Sequence, residues 1–275
     1  MIELPEATVV TQQIAETLTG KRIASAVAGA SPHKFAWYSG DPATYNDRLA
    51  GKVLGAGAEG FGGYIVFTAG DMQLAISAPV RYHAAGKKRP KKHQLLLAFE
   101  DGTAITASAQ MWGGFLCFPI GDPDGYPEHY ADAQTRPSPL TDDFDRDYFD
   151  TLFDAETPKL SAKGFLATEQ RIPGLGNGVL QDILWTARVH PKRKMGDLSD
   201  DEIQSMFEAV RQVLGEMTAQ GGRNTERDLF GAYGGYATVL SRKSLGAPCP
   251  TCGTPIKKQS YLGGAIYVCE GCQLL

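Results

Sequence analysis

Four cysteines near the end of the chain constrain its fold more than any other feature. Cys249-Pro-Thr-Cys252 is followed, after sixteen residues, by Cys269-Glu-Gly-Cys272, three residues from the end. Two C-x-x-C knuckles at this separation have the spacing of a four-thiolate zinc site. Within each knuckle one tight turn carries two sulfurs to one metal, and a β-hairpin between the knuckles brings the second turn back to the first. Zn2+ held by four thiolates has a closed tetrahedral shell, so one structural ion is the expected cofactor and catalysis by the metal is not. The alternative is a pair of disulfides, which requires an oxidising compartment. The rest of the chain offers no secretory context. Its first ten residues, MIELPEATVV, lack the basic and apolar regions of a signal peptide, and Cys117 is the one cysteine outside the cluster. A reducing cytoplasm is therefore expected, and no apolar run approaches a membrane span.

Charge is segregated along the chain. The net charge is −4, which argues weakly against nucleic acid as a partner. Yet residues 87–93 read Lys-Lys-Arg-Pro-Lys-Lys-His and residues 188–194 read Arg-Val-His-Pro-Lys-Arg-Lys. Arg242, Lys243, Lys257 and Lys258 add cations around the cysteines, where Glu270 is the acid. Eleven Asp and Glu concentrate in 121–156 against two Arg. Any one such run is ordinarily a solvated face. Three basic clusters with a separate acidic stretch fit a positive groove with a neutralising flank.

Periodicity divides the 275 residues, 43% of them hydrophobic, into two halves. Residues 5–19 read as a helix, with Val10, Ile14 and Leu18 at helical spacing and Pro5 in the first turn. Strands are expected at 22–27, 64–68, 73–77, 94–99, 103–107 and 115–118, with an Asp101-Gly102 hairpin turn. Residues 119–141 hold five of the sixteen prolines and read as a linker. Helices are expected at 143–153, 157–170 and 178–189. The clearest helix starts at the capping box Ser199-Asp-Asp-Glu202 and buries Ile203, Met206, Phe207, Val210, Leu214 and Met217. The fold class is thus α+β. It comprises an N-terminal helix with an antiparallel β-sandwich or barrel (1–118), a linker (119–141), a helical domain (142–245) and a zinc hairpin (246–275).

Three features occur in order: Glu3-Leu-Pro-Glu6 opening a helix, Pro173-Gly-Leu-Gly-Asn177 between two helices, and the terminal cysteine hairpin entered through Gly246-Ala-Pro-Cys249. In this combination the chain resembles the Fpg/Nei family, the formamidopyrimidine-DNA glycosylases and endonucleases VIII, over essentially its whole length. The resemblance implies a base-excision-repair enzyme that flips a damaged nucleotide out of duplex DNA, and so damaged double-stranded DNA as partner to a monomer. It implies a helix–two-turn–helix element, here 163–190, in which Lys163 and Asn177 contact phosphates flanking the lesion. A glycine-rich turn at a helix N-terminus suits that role, since it exposes backbone N–H groups to an anion. Glu3 and Glu6 stand at the family's catalytic acid positions, and the cysteines at its zinc site.

The family's nucleophile is a terminal proline amine, bared when Met1 is removed, which attacks the sugar and forms a Schiff base. Here Ile2 stands in its place, and a large second residue is expected to leave Met1 on. A family lysine on a strand turn falls at Gly63, and residues 53–86 contain no lysine. The hairpin-tip arginine falls at Gly264. The residues that fill the gap left by the flipped base correspond to Gln110 and Trp112. Lys257 and Lys258 remain to grip a backbone. These losses point to a damaged- or abasic-DNA-binding zinc protein with weak or absent glycosylase and lyase activity. Two alternatives stay open. One is an active glycosylase working through the Met1 amine or a Glu3-activated water. The other is an interaction protein that reuses the fold.

Overall fold

The computed structural model describes residues 1–122 and 125–275, and the chain divides into two compact units. The first comprises Met1–Thr135 and Glu226–Gly234, the second Arg136–Thr225 and Gly235–Leu275.

In the first unit, helix α1 (Leu4–Leu18) carries Pro5 in its first turn and buries Val10, Ile14 and Leu18. Two sheets follow. One is antiparallel, in the order β1 (Ile23–Ala28), β7 (Leu95–Phe99), β8 (Ala104–Ala107), β6 (Val80–His83). The other runs β2 (Ala36–Tyr38), β9 (Gly113–Pro119), β5 (Met72–Ile76), β4 (Tyr64–Ala69), β3 (Glu59–Phe61). A five-residue helix α2 (Tyr45–Leu49) intervenes between β2 and β3. Ile65, Phe67, Leu74, Ile76, Leu97, Ile105 and Phe115 join the α1 side chains in one core. Each such fully buried side chain contributes about 1.5–3 kcal/mol of transfer free energy.

The six expected strands form within a residue or two of their expected ends. Three more were hidden from sequence. Ala36–Tyr38 and Glu59–Phe61 are three residues each and show no alternation. Val80–His83 has a buried residue only at its first position. The β2–β9 pair is parallel, an exception in an otherwise antiparallel sandwich.

The expected linker holds helix α3 (Glu128–Thr135). Its Tyr130 is 1% exposed, packs with Tyr64 and Phe118, and accepts a hydrogen bond from Gln73 Nε2 at 2.9 Å. The prolines obscured an aromatic that anchors the segment to the sheet. Residues 226–234 also leave the helical half and return to the first unit. Leu229 enters the core, its carbonyl accepts from Tyr82 N at 2.8 Å, and Gln13 clasps Asp228 and the Leu229 N–H at 2.9 Å each.

The second unit is helical. Helix α4 (Arg146–Thr151) is shorter than the expected 143–153, because Asp145 caps the Tyr148 N–H at 2.7 Å. The expected helix 157–170 is broken in two. A single 3-10 turn (Thr157–Lys159) gives way to extended Leu160 and Ser161, and Ser161 caps a new helix, α5 (Ala162–Ala167). Leu160 cannot continue the turn because its carbonyl accepts from Met195 N at 2.8 Å. Helix α6 (Asn177–Thr186) ends three residues before the expected Val189, where Arg188 adopts φ 57°. Helix α7 (Asp200–Ala219) starts at the expected capping box and buries Met206, Phe207, Val210, Leu214 and Met217. Ile203, expected among them, is only partly buried. Phe144, Phe149, Phe165 and Phe207 interlock beneath it. The hairpin β10 (Lys257–Tyr261) and β11 (Gly264–Val268) completes the unit.

Asp182 on α6 is 1% exposed and accepts from the backbone N–H groups of Val239 and Leu240 at 2.9 and 2.7 Å. Replacing it by Ala strands two donors, a loss of roughly 2–5 kcal/mol. Asp182→Ala is therefore expected to lower the thermal midpoint by several degrees, and an unchanged melting curve would remove this account of α6.

Candidate functional site

In the second unit the cysteines converge. The four sulfurs lie within 4.8 Å of one another, with Cys249–Cys272 at 3.8 Å and Cys252–Cys269 at 3.3 Å. Disulfide sulfurs stand at about 2.05 Å, so these are thiols. A tetrahedron with metal–sulfur distances of about 2.3 Å has edges of roughly 3.8 Å, which the Cys249–Cys272 pair meets. Two features fit a bound cation. The Trp185 indole N–H is buried without a formal hydrogen-bond partner, and it lies near enough to Cys249 to favour the thiolate. A β-carbon at Gly271 would meet Cys252 Sγ at 2.9 Å and Thr254 Oγ1 at 2.4 Å, so only glycine lets the second knuckle close. The four cysteines form a group able to hold one metal ion.

The hairpin between the knuckles pairs Lys257 with Val268 through Tyr261 with Gly264. Its two-residue turn, Leu262-Gly263, has positive φ at both positions (45° and 70°), the geometry that matches strand twist. This tip meets the two residues expected to contact phosphate. Lys163, 3% exposed, donates from Nζ to the Tyr261 carbonyl at 2.7 Å, and burial lowers its pKa below the ordinary lysine range. Asn177, exposed at the start of α6, donates from Nδ2 to the Ala265 carbonyl at 2.9 Å. A β-carbon built at Gly264 would stand 3.2 Å from Lys163 Nζ. The structure thus brings Lys163, Asn177 and Gly264 together. Lys257 and Lys258 stand apart at the base of the hairpin, exposed, with Lys257 paired to Glu270 at 2.5 Å.

Sequence reasoning overlooked what holds this cluster. Gln181, 3% exposed, accepts from Tyr267 N at 2.9 Å and donates to the Asn177 carbonyl at 2.8 Å. Gln273, 1% exposed, accepts from Cys269 N and donates to the Val189 carbonyl, each at 3.0 Å. A glutamine in an otherwise apolar helical face was the available signal for the first. The second had none.

In the first unit, the start of the chain is anchored. Ile2 is 6% exposed within the core, and its amide N–H points to the Ser77 carbonyl at 3.3 Å. Glu3 is the N-cap residue of α1, and Glu6 lies buried in its first turn. The Met1 α-amino group is partly buried. That burial lowers its pKa below the ordinary α-amino range, against the opposing pull of the Glu3 and Glu226 carboxylates. Glu226, carried by the returning segment, was not anticipated as its neighbour. At the β3–β4 turn, Gly62 and Gly63 have φ of 51° and 80°, a left-handed pair that a lysine would adopt only under strain.

Gln110 and Trp112 are both exposed just before and at the edge of β9. Gln110 lines a recess of about 610 Å3 with Arg81, His83, Lys88, Arg89 and Lys91. The middle of the basic run, residues 88–91, thus lines this recess. A larger recess of about 900 Å3, beside Tyr38, Arg48 and Cys117, contains none of the candidate residues.

Residues 136–228 match the family model described as the formamidopyrimidine-DNA glycosylase H2TH domain. The formamidopyrimidine-DNA glycosylase of Symbiobacterium thermophilum is 30% identical over 283 residues, covering 99% of this chain and 89% of that protein. That of Geobacter sulfurreducens is 27% identical over 99% of this chain and the whole of its own. The Lactococcus lactis Fpg in complex with abasic-site DNA superposes with a TM-score of 0.81 at 23% identity, over 99% of this chain and 100% of its own. With a fold and a sequence alike from end to end, the chain belongs to the formamidopyrimidine-DNA glycosylase family.

Proposed function

We propose that this protein binds damaged or abasic DNA and has weak or absent glycosylase and lyase activity. One observation carries the reading. Where the family presents a proline amine, this chain presents the Ile2 amide, its N–H directed at the Ser77 carbonyl and its side chain in the core. An amide nitrogen has no available lone pair and forms no Schiff base. The strand lysine is replaced by a glycine turn and the hairpin arginine by Gly264, so the losses span chemistry and phosphate contact. Lys163 and Asn177 remain as phosphate ligands in this reading, at the N-terminal end of α6 where backbone N–H groups favour an anion. The Lactococcus relatives solved with abasic-site DNA support the choice of partner. The bound ion in this reading is Zn2+, one per chain, holding the hairpin as a structural element.

A second reading rests on the Met1 amine. A lowered pKa leaves more of it unprotonated at neutral pH than an ordinary α-amine, which is what a nucleophile needs. Borohydride trapping on abasic duplex DNA separates the two. The proposal expects no covalent adduct from the native chain. An adduct mapped to Met1, with a yield that rises at lower pH than for an ordinary α-amine, would replace it with the second reading. Binding itself is expected to weaken steeply with salt, because phosphate contacts release counterions. Affinity for abasic duplex that is flat across salt would sink the DNA-clamp claim.

Native mass spectrometry is expected to find one zinc per chain. Cys249→Ser should abolish its retention and lower thermal stability, whereas Cys117→Ser, outside the cluster, should leave retention intact. Equal loss from both variants would overturn the four-thiolate assignment.

A further inference from the structure

Three aromatic rings stand at the surface of the first unit where β2 runs beside β9. Phe35 stacks on Trp112, with ring centroids 4.7 Å apart and planes at 26°. Trp37 meets Trp112 edge-on at 5.8 Å and 88°. Trp112 is 50% exposed, Trp37 38% and the adjacent Met111 67%. Exposed large apolar groups gathered in one place mark a contact surface.

The platform is built rigidly. Trp37 lies in β2 opposite Gly114 of β9, and the Phe35 carbonyl accepts from Gly113 N at 3.0 Å. Gln94, 5% exposed, clasps the two loops that flank the rings. It donates from Nε2 to the Ser31 carbonyl at 3.0 Å and accepts from Ala109 N at 2.8 Å. Rings held this way lose little entropy when a ligand stacks on them.

Charge adjoins the rings. Gln110, two residues before Trp112, lines the recess that also holds Arg81, Lys88, Arg89 and Lys91, and none of the residues lining it is acidic. Two residues of chain span at most about 7 Å, so the rim of the cationic recess at Gln110 adjoins the stacking faces. Lys34 Nζ sits over the Phe35 ring, 5.3 Å from its centre. A stacking face beside a cationic track is the arrangement that takes single-stranded nucleic acid.

We propose that Trp37 and Trp112, braced by Phe35, stack the unpaired bases of a single-stranded DNA segment, whose phosphates enter the recess formed by Arg81, Lys88, Arg89 and Lys91. The favoured target then carries bases without partners, as in a gap, bubble or flap. The geometry argues against full intercalation of Trp112 between two base pairs. A ring that wedges between base pairs needs both faces free. Trp112 has one face occupied by Phe35 and an edge braced by Trp37.

This inference rests on the reading that the chain binds DNA, and the test separates the two. Intrinsic tryptophan fluorescence of the full-length, zinc-loaded protein is titrated with an oligo(dT) strand, a fully paired duplex and an abasic duplex. Oligo(dT) is expected to quench and to bind more tightly than the paired duplex. Trp37→Ala should weaken oligo(dT) binding by about fivefold or more, the lower end of one base's stacking, and abasic-duplex binding by much less. Trp37→Phe should restore most of the loss, and matching melting curves exclude misfolding as the cause. Equal weakening on both ligands, or oligo(dT) bound no better than the paired duplex, overturns the platform while leaving the abasic-duplex reading in place. Failure to bind any of the three DNAs removes both and marks the surface as a protein contact.

Discussion

Adjacent polar side chains on α6 determine the shape of the second unit. Asp182 reaches one way, to the backbone of Val239 and Leu240, and Gln181 the other, to the backbone of the cysteine hairpin. Burial pushes the Asp182 carboxyl upward, while the two N–H donors oppose that shift. A buried carboxylate is tolerable only with such charge-assisted partners. Through these two residues one helix fixes the course of the chain after α7 and seats the hairpin. The ends of that helix add to the arrangement. Asn177 at its start and Trp185 near its finish contact, respectively, the tip of the hairpin and the surroundings of Cys249.

Much of this was legible in the sequence where local chemistry and tertiary demand agree. The capping box at Ser199, the 3.6-residue spacing of Met206 to Met217 and the alternation in the strands each encode their element directly. The cysteine spacing encodes a cluster because two short turns and one hairpin leave few other solutions. Sequence reading failed where a distant partner decided the outcome. Leu160 looks helical, but the Met195 N–H holds it extended. Residues 119–141 look like a linker, but Tyr130 finds a pocket among Phe118 and Tyr64. The return of 226–234 to the first unit is set by Gln13 and Tyr82, more than a hundred residues away, and nothing local announces it.

The candidate site divides along the same line. The positions at which the resemblance expects a nucleophile, a lysine and an arginine could be read in order as Ile2, Gly63 and Gly264. What replaces them could not. The structure shows a directed amide at Ile2, a left-handed glycine pair at 62–63, and at Gly264 a close approach by the very lysine that the resemblance assigns to phosphate. Each is a settled local arrangement with its own hydrogen bonds or backbone geometry, not a gap where a side chain is missing.

The contact of Lys163 with the hairpin tip bears on how such a protein can change. A side chain introduced at Gly264 would start from a β-carbon 3.2 Å from Lys163 Nζ, so the lysine would have to give by a few tenths of an ångström while it donates to the Tyr261 carbonyl. Any substitution at Gly264 is therefore coupled to the position of Lys163. Moving Lys163 first would strip the Tyr261 carbonyl of its donor. The same coupling would confront anyone redesigning this hairpin tip.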